Sequence, residues 1–386
     1  MFLHNIKLQN LLSFGPDGID LPLRDLNVLI GPNGSGKSNL IESISLLQSA
    51  PRLLASPVRD GGGISDWLWK GKSHCVATVE VIIDNPDGNI PLRHVMSITE
   101  SSRRFELVDE RIENKTPDVG ETDVYFYYRY QNNHPVLNVK DGKRFLKRED
   151  VDPEQSIISQ RKDPDQYPEI TYLGEQYDKI RIYREWSFGR YTPPRLPQKA
   201  DQRSDFLEED FVNLGLVLSR LREEPRAKAR ILEMLDRLYP GIDDFGVRIE
   251  GNTVQVFFQE GDFTVPATRL SDGTLRYLCL LAILCHPEPP PLVCIEEPEL
   301  GLHPDIMPTL AELLKDASTR TQLIVTTHSE TLIDALSESP EDVIVCEKNE
   351  GSSVMRRLDA ESLRTWLSDY GLGQLWRRGE IGGNRW

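Results

Sequence analysis

Long hydrophobic runs are missing from this chain. Nowhere does an apolar stretch reach the roughly 18 residues that a spanning helix needs, so no membrane segment is expected. Met1 to Asn10 lacks a charged segment leading into an apolar one, and a secretory leader is not expected either. Basic charge is in short supply: 45 Lys and Arg stand against 61 Asp and Glu, a net of −16. A coat for bulk DNA needs the opposite excess to displace counterions from phosphates. A local basic groove is compatible with that balance. Cysteine is sparse, with five in 386 residues and no C-x-x-C pair, and the seven histidines do not gather around them. Zinc binding and a disulfide framework are therefore not expected. Cys279, Cys285, Cys294 and Cys346 lie in apolar stretches and read as buried small hydrophobes of a cytoplasmic, reducing environment. No internal repeat and no sustained heptad exists, which excludes a solenoid and long coiled-coil arms. What is present is ordinary for a globular protein: 27% charged and 39% hydrophobic residues, over a length that suits one large domain or two modest ones.

Periodicity divides the chain into three parts. Phe2 to Leu8, Gly18 to Leu23 and Leu26 to Ile30 read as strands, and Asn39 to Leu47 has the spacing of a helix. Val76 to Ile83, Leu92 to Thr99, Phe105 to Leu107 and Val124 to Tyr130 then read as strands of an inserted antiparallel lobe. The pattern turns helical over Asp205 to Leu221 and Ala227 to Leu238, followed by a hairpin of Phe245 to Ile249 and Val254 to Phe258 around Gly251-Asn252. In the last third, helices over Thr274 to Leu284, Ile306 to Leu314 and Glu330 to Leu336 alternate with strands over Leu292 to Ile295, Leu323 to Thr327 and Asp342 to Cys346. Such alternation implies a parallel sheet covered on both faces. Arg190 to Asp205, rich in proline and polar residues, is the best candidate for a linker.

Four motifs carry chemistry. Gly31-Pro32-Asn33-Gly34-Ser35-Gly36-Lys37-Ser38 follows a strand and precedes a helix that continues with Asn39. Its glycines let the backbone wrap phosphate oxygens, its amides and helix N-terminus are partly positive, Lys37 adds a full charge near the β and γ phosphates, and the Ser38 hydroxyl can ligate Mg²⁺. Leu292 to Ile295 reads as a central strand ending in Glu296 and Glu297: the first can hold the hydration shell of Mg²⁺, the second can orient or deprotonate an attacking water. Taken alone, the same residues are a strand ending in a solvated acidic turn. Leu270-Ser271-Asp272-Gly273-Thr274 opens an apolar helix, either as a plain N-cap or as a second anion site built on Ser271 and Gly273. His328 ends the strand expected beside the acidic one, where an imidazole can reach a γ-phosphate.

Together these four resemble the ATP-binding-cassette ATPases of the RecF-like and SMC-like branch, and among them the bacterial AAA-type ATPases related to the ATPase part of overcoming-lysogenisation-defect proteins. Gly31 to Ser38 is similar to Walker A, Leu292 to Glu297 to Walker B with its catalytic glutamate, Leu270 to Thr274 to the signature motif, Glu299 to Pro304 to the D-loop, and His328 to the switch histidine. Ile157-Ile158-Ser159-Gln160 is similar to a Q-loop, with Gln155 as the other candidate glutamine and metal ligation as the role. Asp272 stands where transporters have Gly, Thr274 where they often have Gln, and Glu296 where Asp is usual.

The resemblance implies an α/β P-loop NTPase fold, an ABC-type head with a mixed central sheet, an inserted antiparallel β lobe and a helical signature lobe. Residues 1–386 form one head: 1–175 with Walker A and the insertion, 176–290 with the signature, and 291–386 with Walker B, D-loop and switch histidine. It implies ATP and Mg²⁺ as cofactors and a homodimer or higher oligomer in which Ser271 of one subunit caps the γ-phosphate held by Lys37 of the other. The stretch from Lys37 to Ser271 is longer than a transporter domain needs and too short for long arms. The stretch after His328 is too short for a Toprim nuclease, so an effector, nuclease-like or other, is expected on a separate chain, with DNA repair or anti-phage defence as the setting. The alternative is a slow-hydrolysing ATP-bound scaffold or sensor that oligomerises with a partner. A transporter motor is disfavoured. For DNA contact, Lys179 to Tyr191 interleaves basic and aromatic residues, and Lys140, Lys143, Arg144, Lys147 and Arg148 form a second basic run. The other reading of Lys179 to Tyr191 is a strand and loop whose aromatics pack in the core while its arginines meet acidic neighbours.

Overall fold

The computed structural model describes residues 1–71, 75–85, 88–131, 134–139, 142–145 and 151–383. They fall into two compact units, one of Met1–Ile180, Glu341–Leu358 and Ile381–Trp386, the other of Arg181–Pro340 and Asp359–Glu380.

In the first unit the alternation of Leu3, Ile6 and Leu8 with polar residues buries one side of the strand Leu3–Gln9. It pairs antiparallel with Ile19–Pro22 on one edge and with Ala77–Ile83 on the other. The sheet continues antiparallel through Leu92–Ser101, Arg104–Asn114, Phe126–Gln131, His134–Val139 and Gly142–Phe145. The expected β insertion is present, but it is continuous with the first hairpin. Arg104–Asn114 is far longer than the expected Phe105 to Leu107, because charged residues break its apolar alternation. Those charges are satisfied within the sheet: Glu113 accepts from Arg93 at 2.6 Å and from Arg129 at 2.7 Å. Glu110 is buried and takes the Ile157 amide at 2.8 Å and the Ser156 hydroxyl.

A second, mixed sheet in this unit holds Leu26–Ile30, buried throughout, parallel to Val343–Asn349, which pairs antiparallel with Ser352–Arg357. Five consecutive apolar or amide side chains without alternation mark a strand covered on both faces. Ser352–Arg357 was not expected: its sequence, SSVMRR, carries no apolar pattern. The helix Lys37–Ser49 follows the loop and buries Leu40, Ile41, Ile44, Leu46 and Leu47.

The second unit is built on a parallel sheet of Arg181–Tyr183, Leu292–Glu296 and Gln322–Thr326. Leu292, Val293, Cys294 and Ile295 are all but fully buried, which at about 1.5–3 kcal/mol for each large apolar side chain anchors the acidic end of the strand firmly. The helix Asp272–Leu284 is apolar on nearly every side and correspondingly buried. Met307–Ser318 and Glu330–Asp334 complete the alternation. The expected hairpin forms between Asp244–Glu250 and Thr253–Glu260, with Phe263–Pro266 and Gln198–Lys199 added beside it.

Two expectations are corrected here. The helix expected from Asp205 begins only at Leu214, because the Asn213 amide donates to the Arg203 and Phe206 carbonyls and accepts from the Glu208 N–H, holding the preceding residues as turns. Arg190 to Asp205 is not a linker. Arg195 within it is 7% exposed and donates to the carbonyls of Phe188 at 2.8 Å and Leu270 at 2.6 Å and to the Asp272 carboxylate, so the segment is part of the second unit. The cysteines are buried free thiols, as their apolar settings imply, and burial pushes Cys285 and Cys346 up to about 12.

Candidate functional site

The phosphate loop belongs to the first unit. Gly36 has φ 100°, a left-handed conformation in which a side chain is strained, and a Cβ there would collide with the Ser353 side chain. Ser353 in turn is fixed to Ser13, amide to carbonyl at 2.8 Å and hydroxyl to hydroxyl at 2.7 Å. Gly15 donates its amide to the Ser352 hydroxyl at 2.8 Å. A turn near the N-terminus and a hairpin near the C-terminus thus brace the loop from beneath. Lys37 is 6% exposed, and its ammonium donates to the Gly31 carbonyl at 2.8 Å and the Pro32 carbonyl at 3.1 Å. The loop's own carbonyls thus accept from the lysine. Asn33, Gly34 and Ser38 are exposed and Asn39 half-buried at the mouth, while the Ser35 hydroxyl is buried with no hydrogen-bond partner.

The acidic strand belongs to the second unit. Glu296 ends it with one carboxylate oxygen 3.5 Å from Arg184 Nε and the other buried without a hydrogen-bond partner. A buried carboxylate oxygen without a donor is costly unless something donates to it. Its geometry therefore fits a water of a hydrated cation. Glu297 follows at φ 46°, which costs a non-glycine residue about 1–2 kcal/mol. The turn is held by its N–H, which donates to the Thr326 carbonyl at 3.0 Å and hydroxyl at 3.2 Å, and by its carbonyl, which accepts from Arg276 at 3.2 Å. The turn sets the Glu297 carboxylate 3.6 Å from His328 Nε2.

Glu299 underpins the histidine. One of its oxygens accepts the Thr327 hydroxyl at 2.8 Å and the His328 amide at 2.7 Å, and the other is buried and unpartnered. Burial raises its carboxyl above the usual 4.5. Ionising Glu299 is thus harder in the folded chain than in the unfolded one. Its stabilising contribution is complete below about pH 4.5 and is lost as the pH climbs through the raised native value. Glu299→Gln keeps the accepting oxygen and removes that dependence. Thermal unfolding of the variant should vary less with pH, from about 4.5 toward neutrality, than that of the native chain.

Ser271 caps the helix Asp272–Leu284, accepting from the Thr274 N–H at 3.1 Å. Gly273 lies against the turn after Glu297: a Cβ there would stand 2.6 Å from the Gly301 carbonyl oxygen. The second unit therefore brings Glu296, Glu297, His328, Ser271 and Gly273 into one neighbourhood. Gln160 lies in the first unit, where its carboxamide donates to the carbonyls of Gln155 at 3.2 Å and Ser156 at 3.4 Å and accepts the Asp152 amide at 3.0 Å. Gln155 is likewise engaged, with the Asp152 carboxylate at 3.0 Å and the Ser159 hydroxyl at 3.2 Å.

Arg184, Trp186 and Arg276 escaped the sequence reading as parts of this site. Arg184 and Trp186 lie in the basic and aromatic stretch considered for DNA, just beyond the strand Arg181–Tyr183 that runs parallel to the acidic one. That stretch follows the packed reading: Ile182, Tyr183 and Phe188 are buried, Trp186 stacks on Phe211 with centroids 5.4 Å apart and donates to the Glu296 carbonyl at 2.8 Å. Lys140, Lys147 and Arg148 of the other basic run lie outside the described residues, as do the side chains of Lys143 and Arg144.

A Gly-rich loop opening a helix, and a buried parallel strand ending in two glutamates beside a histidine, define a P-loop ATPase with an ABC-type head. The chain belongs to the family described as "AAA domain, putative AbiEii toxin, Type IV TA system", which matches residues 26–334. It is similar to structural maintenance of chromosomes protein 1 of Arabidopsis thaliana, 31% identical over 111 residues, which is 28% of this chain and 9% of that one. An Smc head bound to the C-winged helix domain of ScpA matches with a TM-score of 0.61 at 15% identity, covering 94% of this chain and 99% of that chain. The Smc head domain with an extended coiled coil from Pyrococcus furiosus, bound to the C-terminal domain of ScpA, also gives 0.61, at 14% identity and 95% and 99% coverage. At these identities the structures establish the fold, the SMC-like head that the motifs imply. No helix among the described residues is long and apolar enough to cross a membrane.

Proposed function

We propose that the chain is an ATP-driven switch: two heads close around ATP, hydrolysis separates them, and a separate partner chain reads the state. The observation that carries this reading is Glu297 held in a left-handed turn with its carboxylate 3.6 Å from His328, on a neighbourhood shared with Ser271. In this reading the amides of Asn33 to Asn39 and Lys37 bind the β and γ phosphates, Lys37 exchanging the Gly31 and Pro32 carbonyls for phosphate oxygens. Ser38 and Glu296, and Gln160 after release from its local bonds, would hold Mg²⁺; when bound, that ion neutralises charge on the phosphates. Glu297 orients the attacking water and takes its proton, and His328 stabilises the γ-phosphoryl oxygens. Ser271 and the amide of Gly273 cap the γ-phosphate of the opposite subunit. The whole chain acts as one head, with the loop in 1–175, the Ser271 motif in 176–290, and the acidic strand and His328 in 291–386.

The setting we favour is DNA repair or anti-phage defence in the cytoplasm. The family's description as a toxin–antitoxin AAA domain and the ScpA chains on the Smc heads support a separate partner, for which we favour an effector, nuclease-like or other. Phosphate release with Mg²⁺·ATP, and light scattering with ATP against ADP, test the switch: a chain that neither turns over ATP nor assembles with it overturns the reading. Salt-dependent DNA binding at low ionic strength tests the DNA contact, and its absence removes that part. The pairing of Arg184 with Glu296, which stands where Asp is usual, favours one further reading, in which hydrolysis is slow and the ATP-bound assembly is itself the output. Turnover far slower than nucleotide exchange would select it.

A further inference from the structure

We propose that Arg276 is a positioning residue that ties the Ser271 helix to the Glu297 peptide, so that a phosphate engaged at Ser271 is registered at the catalytic carboxylate of the same chain. The inference rests on the roles given above to Ser271 and Glu297.

Arg276 lies just over one turn along the helix that Ser271 caps, and is 8% exposed. Burying a guanidinium is expensive, and the usual compensation is a carboxylate. Arg276 has no ion pair among the described residues. Its guanidinium instead lies over the rings of Trp186, 4.8 Å from the centroid, and Phe188, 5.7 Å away, and donates to one acceptor, the Glu297 carbonyl at 3.2 Å. Desolvation lowers its pKa, so the site disfavours the very charge it holds. A leucine would fill this place on an otherwise apolar helix at lower cost, so stability alone does not account for an arginine.

The single acceptor is the informative partner. Glu297 sits in a left-handed conformation and is gripped on both sides, by Thr326 at its N–H and Arg276 at its carbonyl. The direction of the carboxylate toward His328 depends on that peptide. The aromatic plate under Arg276 is pinned too, because Trp186 Nε1 donates to the Glu296 carbonyl. At the start of the helix, Gly273 packs on the Gly301 carbonyl with no room for a methyl group. A displacement of the helix start at Ser271 is therefore carried by stiff contacts to the peptides of both glutamates.

The test compares the full chain with Arg276→Gln, Arg276→Lys and Glu297→Gln, measuring kcat, ATP affinity with a fluorescent nucleotide, the dependence of rate on ATP concentration, and thermal unfolding. Arg276→Gln should lower kcat about 10- to 100-fold, the scale of a misplaced catalytic group, with ATP affinity within about 3-fold and any sigmoidal dependence on ATP lost. Arg276→Lys should recover part of kcat, since it keeps a charged donor and loses the planar stack. Unchanged kcat in Arg276→Gln overturns the proposal. So does a parallel fall of kcat, affinity and melting temperature in both variants, which marks a purely structural residue. A native chain without turnover, by contrast, overturns the function on which the proposal rests.

Discussion

Glu297→Gln is expected to lower steady-state ATP turnover by roughly 100- to 10 000-fold, the usual worth of a positioned general base, while leaving ATP binding intact. The amide is isosteric, so the left-handed turn, the two Thr326 bonds and the Arg276 bond to the carbonyl all survive. What is lost is the carboxylate's ability to accept a proton. The interaction with His328 at 3.6 Å loses its charge as well, which separates the variant from one that merely distorts the turn. With turnover stopped and both anion sites preserved, the ATP-bound assembly should accumulate. Light scattering with saturating ATP reads this directly: a monomer under those conditions removes the sandwich, and turnover within about tenfold of the native chain removes Glu297 as the base.

Lys37→Ala should have the second largest effect, a loss of ATP affinity of about 100-fold or more, since each charge-assisted hydrogen bond to phosphate contributes about 1.5–3 kcal/mol. The lysine is almost fully buried and bonded to the Gly31 and Pro32 carbonyls, so its removal also takes the donor from both, the Gly31 carbonyl being buried. Equilibrium binding of a fluorescent ATP analogue measures the loss, and the same protein should unfold at a somewhat lower temperature, because the buried Gly31 carbonyl is left without its donor. Affinity within about threefold of native would show that phosphate is bound elsewhere.

Residues that use the commonest local rules were legible in the sequence. Leu26–Ile30 and Leu292–Glu296 announce themselves as continuous apolar runs, and the loop between strand and helix is dictated by backbone geometry that only glycine adopts freely. The Ser271 N-cap followed from residue type and position. What stayed hidden depends on partners distant in sequence. Arg184 reads as a surface cation until the strand before it is seen beside the acidic one. Arg195 reads as part of a linker until the carbonyls it binds, more than 70 residues away, are in place. Ser352–Arg357 shows no strand pattern, because its pairing with Val343–Asn349 rather than its side chains makes it a strand. The basic and aromatic stretch carried two readings for the same reason: stacked aromatics and paired arginines have the same composition as a nucleic-acid groove.

The serine brace beneath the phosphate loop bears on how the molecule is made. Ser13 meets Ser353 across a sequence separation of 340, and Gly15 meets Ser352 across 337. Closing a loop of that size is slow to nucleate and comes late, whatever its final strength. During synthesis the loop sequence emerges early, yet its underside is completed only after the hairpin of Val343–Asn349 and Ser352–Arg357 has left the ribosome. A nascent or prematurely terminated chain therefore carries the phosphate-binding residues without the floor that shapes them. Competence to bind nucleotide is thus deferred until the hairpin of Val343–Asn349 and Ser352–Arg357 has been made, more than 300 residues after the loop itself.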